Sequence, residues 1–199
     1  MKSSFNLYQE QIKNRSALRF ALGYIVRFKQ YLIHELIRRI AIYNGAEIGK
    51  NTVLPLKLAR RANQNLKVGA NCSIQTDLID LRAPVHIGNQ VIIGSNVEIL
   101  TCSHHIDSPS WDFKSYGVQI EDYVWLATKV FILPSCQKIE YGAVCAAGSV
   151  VVKNVGKMSV VSGNPAQHLK YRQTIHDQLV VSSLNGGDFL YYRSARKNI

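Results

Sequence analysis

At 199 residues, the chain is long enough for one well-buried domain with an appended segment and too short for two comfortable domains. Hydrophobic residues make up 47% and charged residues 19%, which excludes the sparsely apolar, highly charged composition of disordered chains. The 24 Lys and Arg residues against 13 Asp and Glu give a formal net charge of +11. This excess favours nucleic acid, an anionic membrane surface or a phosphorylated small molecule as a partner, unless it serves only solubility.

No secretory signal is predicted at the start, because Met1 to Glu10 lacks a charged stretch followed by an apolar core. The four cysteines form no CxxC pair and have no spacing typical of a zinc site, so we expect buried, reduced thiols. Both features predict a cytoplasmic protein. The cysteines are Cys72, Cys102, Cys136 and Cys145.

The first predicted segment, Ala17 to Tyr43, consists of one or two basic amphipathic helices. Apolar residues recur there at intervals of three and four, as on one face of a helix, and basic residues occupy the other face. Asn44-Gly45 is a good stop signal. Charges interrupt the apolar runs, so the segment is not expected to cross a bilayer. Residues 17–43 are open to two interpretations: contact with the inner face of a membrane, or packing on the main domain or a neighbouring subunit.

From Ala46 onward the period changes to six residues. Thirteen hexapeptides can be aligned on their first position, which is Ile, Leu or Val in twelve of them. The second position is often small or acidic, and the fifth is small or β-branched. The first positions are Ile48, Leu54, Val68, Ile74, Ile87, Ile93, Ile99, Ile120, Leu126, Ile132, Ile139, Cys145 and Val151.

Such a repeat predicts a short strand followed by a tight corner, and three repeats close one coil of about eighteen residues. Successive coils stack about 4.8 Å apart, as neighbouring strands do, and bury an aliphatic ladder. By this arithmetic His86 and His104 are expected to lie one above the other on the same corner. Helical segments before residue 45 and after Gly163 are expected to cap the open ends of the stack.

After the repeats, Asn164-Pro165 predicts a turn, and a mildly helical run follows from Gln167 to Val180. The chain therefore divides into three predicted parts. Residues 1–45 form an N-terminal amphipathic helical segment, 46–163 the repeat domain, and 164–199 a C-terminal helical extension and tail.

Four blocks of sequence resemble the hexapeptide-repeat acyltransferases, and more narrowly the maltose and galactoside O-acetyltransferases together with the colanic-acid-type polysaccharide acetyltransferases. The match covers roughly residues 68 to 170, and the order and spacing of the blocks make it specific. The blocks are Ala83-Pro84-Val85-His86-Ile87-Gly88, Thr101-Cys102-Ser103-His104, Val124-Trp125-Leu126, and Ala147-Gly148-Ser149-Val150-Val151-Val152-Lys153 with Gly163-Asn164-Pro165-Ala166. The resemblance implies an all-β solenoid, a left-handed parallel β-helix, with acetyl-CoA as the donor and a homotrimer whose active sites lie between subunits.

The resemblance further implies O-acetylation of a sugar hydroxyl, in surface polysaccharide or lipopolysaccharide biosynthesis. It assigns the catalytic base to His104, at the point where the repeat breaks and a loop of about fifteen residues begins. Such a base is needed because an alcohol is a poor nucleophile at neutral pH. His105 is a secondary candidate, and we place it with His86 among the residues expected to contact the acceptor.

The resemblance also implies a groove for the donor. Trp125 matches a tryptophan near the pantetheine arm, Ala127, Thr128 and Ala147 match small positions that line the groove, and Lys153 matches a basic residue near the CoA phosphates. Each also has an ordinary structural explanation, as an aromatic on a coil face, a small repeat position or a surface lysine.

This sequence departs from its relatives at two places. Gln167 stands where they often have an arginine for the phosphates, so Lys170 or Arg172 is expected to make that contact. The acidic residue that binds the acceptor has no secure counterpart. Asp80 comes closest in pattern, followed by Asp77.

Other activities stay open at this stage. Two stacked histidines could bind zinc, as in the zinc-type carbonic anhydrase of the same fold, but His105 has the wrong spacing for a third ligand, so we expect no metal. The remaining alternatives are N-acetylation of an amino sugar, a metal-dependent hydratase, and a noncatalytic β-helix scaffold that binds nucleic acid. The scaffold is disfavoured because no motif that reads nucleic acid appears.

Overall fold

A computed structural model describes residues 4–175 and 187–196 of the chain. Within them, the helices are α1 (Ser4–Lys13), α2 (Ala17–Tyr43), α3 (Leu56–Arg60) and α4 (Phe189–Ser194). The strands are β1 (Glu47–Ile48), β2 (Leu66–Val68), β3 (Ser73–Ile74), β4 (Val85–Ile87), β5 (Ile92–Ile93), β6 (Glu98–Ile99), β7 (Cys102–His104), β8 (Phe113–Ser115), β9 (Val118–Ile120), β10 (Trp125–Leu126), β11 (Phe131–Ile132), β12 (Lys138–Ile139), β13 (Val144–Cys145), β14 (Val150–Val151), β15 (Ser159–Gly163) and β16 (Ala166–Tyr171).

The helical segment predicted for Ala17 to Tyr43 is confirmed, and the structure forms it as one helix, α2. Ser16 caps its beginning, because the Ser16 hydroxyl accepts a hydrogen bond from the Arg19 backbone N–H at 3.4 Å. At its end, the Asn44 side-chain amide donates to the backbone oxygen of Ala59 in α3 at 2.9 Å. No helix among the described residues is long and apolar enough to span a bilayer.

One face of α2 packs on α1 and α4, which returns from the far end of the chain. Phe20 stacks on Tyr192 with ring centroids 4.8 Å apart, and Arg27 forms an ion pair of 2.8 Å with the buried carboxylate of Asp188. Gly23, the one glycine inside α2, leaves room for the Tyr192 hydroxyl, which a β-carbon at this position would overlap. The last turns of α2 reach the main core, where Ala41 is fully buried. The N-terminal helix therefore covers one end of the strands.

Most strands belong to three sheets that the chain visits in rotation. Sheet A contains β1, β2, β4, β9 and β12; sheet B contains β3, β5, β10, β13, β15 and β16; sheet C contains β6, β11 and β14. All pairs within these sheets are parallel except β15 with β16. One round through A, B and C is one coil, and the three sheets enclose a single core.

The core confirms the six-residue repeat. All thirteen predicted first positions are at most 6% exposed, from Ile48 to Val151. Each of the last three coils places one such side chain per sheet in the interior, and parallel pairing aligns them, as Ile87 aligns with Ile120 and Ile120 with Ile139. Full burial of an aliphatic side chain contributes roughly 1.5–3 kcal/mol, so this ladder is the main source of stability.

The corners turn through residues with positive φ. Asn51, Asn71 and Asn96 have φ of 55°, 57° and 55°, and each directly precedes a buried fifth position of a hexapeptide. Asparagine tolerates this left-handed region better than most residues because its short polar side chain can bond locally. The small fifth position then fits the inside of the bend, which explains why that position is restricted.

The prediction of a helical run from Gln167 to Val180 is wrong for its first part. Ala166–Tyr171 is strand β16, which folds back antiparallel on β15. The strand covers the free edge of sheet B, where an uncapped row of backbone groups would otherwise face solvent. Arg172, directly after β16, holds the end of this strand against the coils by donating to the backbone oxygen of Tyr123 at 3.2 Å. Residues 176–180 lie outside the described part of the chain.

Candidate active site

The predicted break in the repeat is an ordered hairpin. After β6 the chain leaves the coil at the corner between sheets C and A, and β7 pairs antiparallel with β8, His104 facing Phe113 across the pair. The Tyr116 backbone N–H donates to the Thr101 oxygen at 2.9 Å and closes the base of the hairpin. The chain then resumes the coil at β9. His104 is thus carried on a projection of the coil with its side chain exposed.

The His104 ring is held on three sides. Its Nδ1 lies 2.8 Å from the backbone oxygen of Trp111. The Trp111 ring stacks on it with centroids 5.1 Å apart, and Phe113 meets it edge-on at 5.7 Å. A carbonyl oxygen can only accept, so the proton of the neutral imidazole sits on Nδ1 and Nε2 keeps its lone pair. The arrangement therefore leaves Nε2 available as a base.

The tip of the hairpin is tied by its own polar groups. The hydroxyls of Ser108 and Ser110 donate to the Asp112 carboxylate at 2.6 and 2.7 Å, and these bonds lower the pKa of Asp112. The His105 N–H donates to the Asp112 oxygen at 2.9 Å. Trp111 adopts φ of 55°, an unusual value for a bulky residue, and this turn directs its carbonyl to His104. Sequence reasoning missed Trp111, although a tryptophan in a polar loop was a signal.

Asp80 lies at the same corner, beneath the hairpin. Its carboxylate accepts hydrogen bonds from the Arg82 side chain at 2.9 and 3.0 Å and from the Thr101 hydroxyl at 2.9 Å. Burial by itself would raise the pKa of Asp80, but the bonds from Arg82 and Thr101 outweigh it and hold the pKa well below its usual range. The Asp80 side chain is only 12% exposed, whereas that of Arg82 is 60% exposed. Arg82, which the sequence analysis missed, is the member of the pair that faces solvent.

Arg82 also contacts the hairpin. Its guanidinium carbon lies 5.6 Å from the centre of the Phe113 ring, in the range of a cation–π contact. Asp80, Arg82, Phe113 and His104 therefore form a continuous row from the coil to the hairpin. Beside this row, a cleft of about 410 Å³ is lined by Asp80 and Arg82 among others.

The expected stacking of His86 on His104 is wrong. The residue aligned with His86 on the next coil is Gln119, because the hairpin is inserted between them and shifts the eighteen-residue count. His86 instead lines a separate cleft of about 410 Å³ with Glu121, Asp122 and Tyr141 among others. His105 is exposed next to His104. Among residues 4–175 and 187–196, no group of three or more His, Cys, Asp and Glu side chains is arranged to hold a metal ion.

The residues predicted for the donor fall mostly on sheet B. Trp125 is 44% exposed in β10. In register it aligns with Val144, Val144 with Val160, and Val160 with Lys170. Residues aligned in this way share a face, so Trp125 and Lys170 stand in one outward column, three strand spacings or roughly 14 Å apart.

A corner of small residues adjoins this column. Thr128 and Ala147 are exposed and lie on successive coils at the corner between sheets B and C, where the Gly148 N–H donates to the Thr128 oxygen at 3.0 Å. Ala127 is half-buried at the start of the same corner. Small side chains leave the backbone accessible there. Lys153, by contrast, follows β14 of sheet C and lies on the edge between sheets C and A, as the hairpin does.

Apart from His86 on sheet A, the predicted site residues form two groups on one chain. Asp80, His104, His105 and Lys153 lie along the edge between sheets C and A, whereas the column from Trp125 to Lys170 and its corner lie on sheet B. In a three-sided coil, the edge between C and A faces away from sheet B across the core. A single chain therefore does not bring the histidine to the tryptophan.

Comparison with known proteins identifies relatives of this chain among acetyltransferases. No family model matches it. Galactoside O-acetyltransferase of Lactococcus lactis is 30% identical over 161 residues, which cover 76% of this chain and 70% of that protein. WcaF of Escherichia coli, provisionally named a colanic acid biosynthesis acetyltransferase, is 30% identical over 129 residues, covering 64% of this chain and 70% of that protein.

The fold is shared with a solved structure. A hexapeptide-repeat-containing acetyltransferase from Vibrio cholerae superposes with a TM-score of 0.61 at 22% identity, over 83% of this chain and 99% of that one. Together with the buried six-residue ladder and the hairpin at its break, these similarities show that the chain belongs to the hexapeptide-repeat acetyltransferases.

Proposed function

We propose that this protein transfers an acetyl group from acetyl-CoA to a hydroxyl of a sugar, with His104 as the general base. The observation that carries the proposal is the 2.8 Å contact between His104 Nδ1 and the Trp111 oxygen, which leaves Nε2 free to take a proton. The names of the two relatives, a galactoside acetyltransferase and a colanic acid acetyltransferase, support a sugar acceptor in polysaccharide assembly.

In the proposed reaction, His104 Nε2 removes the proton of the sugar hydroxyl while the hydroxyl oxygen attacks the carbonyl carbon of the thioester. The carbon–sulfur bond then breaks, and the imidazolium returns its proton to the departing sulfur. The products are an acetyl ester and the free thiol of CoA, and the imidazole is neutral again. The Trp111 oxygen stabilises the charged ring during the step, since it holds the Nδ1 proton throughout.

Sheet B supplies the donor groove in this proposal. Trp125 packs against the pantetheine arm, and the small residues Thr128 and Ala147 let that arm approach the backbone. Lys170, in the same column, meets a phosphate by charge, and Arg172 is a weaker choice because its guanidinium already bonds the Tyr123 oxygen. Lys153 lies on the same edge of the coil as His104, so it would reach a donor bound in the groove of a neighbouring subunit.

We infer that the site is completed by a second subunit of a homotrimer. His104 and Trp125 lie on opposite sides of one chain, so the base of one subunit must meet the groove of the next.

We also propose that the coils wind left-handed as a β-helix, which the six-residue period, the parallel ladders and the shared fold support. The buried free thiols support a reducing compartment, the cytoplasm.

A complementation experiment tests this site. Two inactive proteins are prepared, His104→Ala and a groove-blocking Ala147→Trp, and are also co-expressed with different tags and purified as mixed assemblies. Release of CoA thiol is measured with acetyl-CoA and a panel of sugars. If each site takes its base and its groove from different chains, every mixed trimer holds one intact site among its three, so about one third of the wild-type activity returns. Mixed assemblies that stay inactive while each variant remains folded would contradict the shared site.

The substrate assignment is tested by the same thiol assay on the wild-type protein. We expect release of CoA only when a sugar is present, with the acetyl group found on a hydroxyl. An acetyl group found on the nitrogen of an amino sugar would overturn O-acetylation. Absence of thioester cleavage with every sugar in the panel would oppose the proposed acceptor class.

A further inference from the structure

The exposed face of α2 is the strongest surface feature outside the proposed site. Seven large aliphatic side chains on this helix are between 46% and 71% exposed. They are Leu18, Leu22, Ile25, Val26, Leu32, Ile33 and Leu36, and we call them the α2 stripe. A contiguous apolar surface of this kind on a folded protein marks an interaction site.

The stripe lies opposite the face by which α2 packs on the protein. At about 100° per residue, the seven side chains fall within an arc of roughly 120° and extend for about 27 Å along the helix. The other side carries Phe20, Tyr24 and Arg27, which contact α4 or the Asp188 preceding it. The packed face orients the helix along the protein surface, so a partner meets its side and not its end.

The charges around the stripe are almost all positive. Arg19 and Arg39 flank it on its two sides, and Lys29 lies within it. The one acidic residue of α2 is Glu35, whose carboxylate is held by Arg38 at 2.8 Å and by Arg39 at 3.1 Å. No free carboxylate of α2 is therefore available to a basic partner. Lysine and arginine can extend their heads beyond an apolar surface that buries their stems.

This charge pattern selects the kind of partner. Pairing of the stripe with a second copy would bring two sets of Arg19, Lys29 and Arg39 into one interface, and no free carboxylate of α2 would neutralise them. An anionic lipid surface instead offers acyl chains to the aliphatic side chains and negative headgroups to Arg19, Lys29 and Arg39.

We propose that the α2 stripe seats the protein on an anionic lipid surface, with the helix axis in the plane of that surface. The proposal does not depend on the acetyl transfer described above. It concerns where the protein sits and makes no use of His104 or of the groove on sheet B. The result expected is reversible, salt-sensitive binding, because one amphipathic face combines apolar burial with screened charge attraction.

Cosedimentation with vesicles tests the proposal. Wild-type protein is mixed with vesicles of phosphatidylcholine alone and of phosphatidylcholine with phosphatidylglycerol. We expect strong binding only to the second kind. The double variant Ile25→Asp with Leu32→Asp should weaken this binding tenfold or more, since each side chain loses roughly the free energy of burying an aliphatic group. Lys29→Gln should weaken it about fivefold, the effect of one basic residue near an anionic surface.

Leu78→Asp is the matched control, because Leu78 is similarly exposed at 45% but lies outside α2. It should bind vesicles as the wild type does. Light scattering is recorded for every variant. Wild-type protein that fails to bind the anionic vesicles overturns the proposal. The proposal is also overturned if light scattering shows that the double variant dissociates into smaller assemblies while it still binds vesicles as well as Leu78→Asp does. The stripe would then be a contact between copies of the chain.

Discussion

His104 Nδ1 lies 2.8 Å from the backbone oxygen of Trp111, seven residues further along the same hairpin. The contact fixes the imidazole tautomer through a main-chain atom, so no acidic side chain is needed to orient the ring. Because the acceptor belongs to the backbone, it is kept when Trp111 is replaced by a residue that accepts the φ of 55° at this position. The ring orientation and the stacking contact can therefore be tested separately.

The first prediction concerns the base. His104→Ala should lower the rate of acetyl transfer by about 10²–10⁴-fold, the usual contribution of a general base. His105→Ala is the matched control, since its exposed ring neighbours His104 and its backbone bond to Asp112 is kept. The steady-state rate of thiol release measures both. Equal losses in the two variants would remove His104 from its proposed role.

The second prediction separates the Trp111 ring from its carbonyl. Trp111→Gly keeps the oxygen and suits the φ of 55° at this position, but it removes the stacked ring. An aromatic contact of this kind is worth about 0.5–1.5 kcal/mol, so the rate should fall roughly 2–10-fold. The thermal midpoint should change little, because the ring is 61% exposed. A rate loss as large as that of His104→Ala would show that the ring has a further role.

The third prediction concerns the end of the donor groove. Lys170→Gln should raise KM for acetyl-CoA several-fold and leave kcat nearly unchanged, since the lysine binds the donor equally before and during the reaction. The difference from wild type should shrink with added salt, which screens exposed charges. Lys57→Gln, at an exposed lysine of α3, is the control for charge alone. A matching rise in KM for that variant would point to nonspecific attraction.

The fourth prediction concerns the ion pair beneath the hairpin. Asp80→Asn should lower the thermal midpoint at neutral pH, because it weakens the charged hydrogen bonds from Arg82 and Thr101. The folded state lowers the pKa of Asp80, so its ionised form stabilises the fold above the unfolded value of about 3.9 and loses this effect as acid protonates it.

The midpoint difference between wild type and Asp80→Asn should therefore shrink as pH falls below about 4. Glu98→Gln, at an exposed carboxylate of β6, is the control and should show little difference at either pH. A difference between wild type and Asp80→Asn that persists unchanged in acid would mean that the stabilising interaction does not depend on the Asp80 charge.

The fifth prediction concerns thiol reactivity. Burial raises the pKa of Cys72 and of Cys136 to about 11 and that of Cys145 to about 12, so few thiolates form near neutral pH. Alkylation of the folded protein should leave these three cysteines unmodified, and addition of denaturant should expose them. Peptide mass spectrometry gives the modified positions. Rapid labelling of Cys145 in the folded protein would contradict its place in the core.

The repeat could be read from the sequence because it is a local property. Every hexapeptide places its first residue in the interior, so the thirteen first positions identify a large part of the core without knowledge of any contact. The end of α2 was predictable for a similar reason, since Asn44 and Gly45 act within one turn. The strand β16 was not, because a short polar segment with a helical pattern became a strand only by pairing with the open edge of sheet B.

The sequence by itself therefore determined the stacked coils, the long N-terminal helix and the position of the break that carries His104. Only the tertiary structure decided which residues meet. The inserted hairpin replaced His104 by Gln119 above His86, positioned the Trp111 oxygen on the His104 ring, and left the base and the groove on opposite sides of the coil. The period can be recognised in the sequence because each repeat buries its own residue. An insertion changes the alignment of residues between successive coils, and the contacts of the inserted residues depend on the folded path of the whole chain.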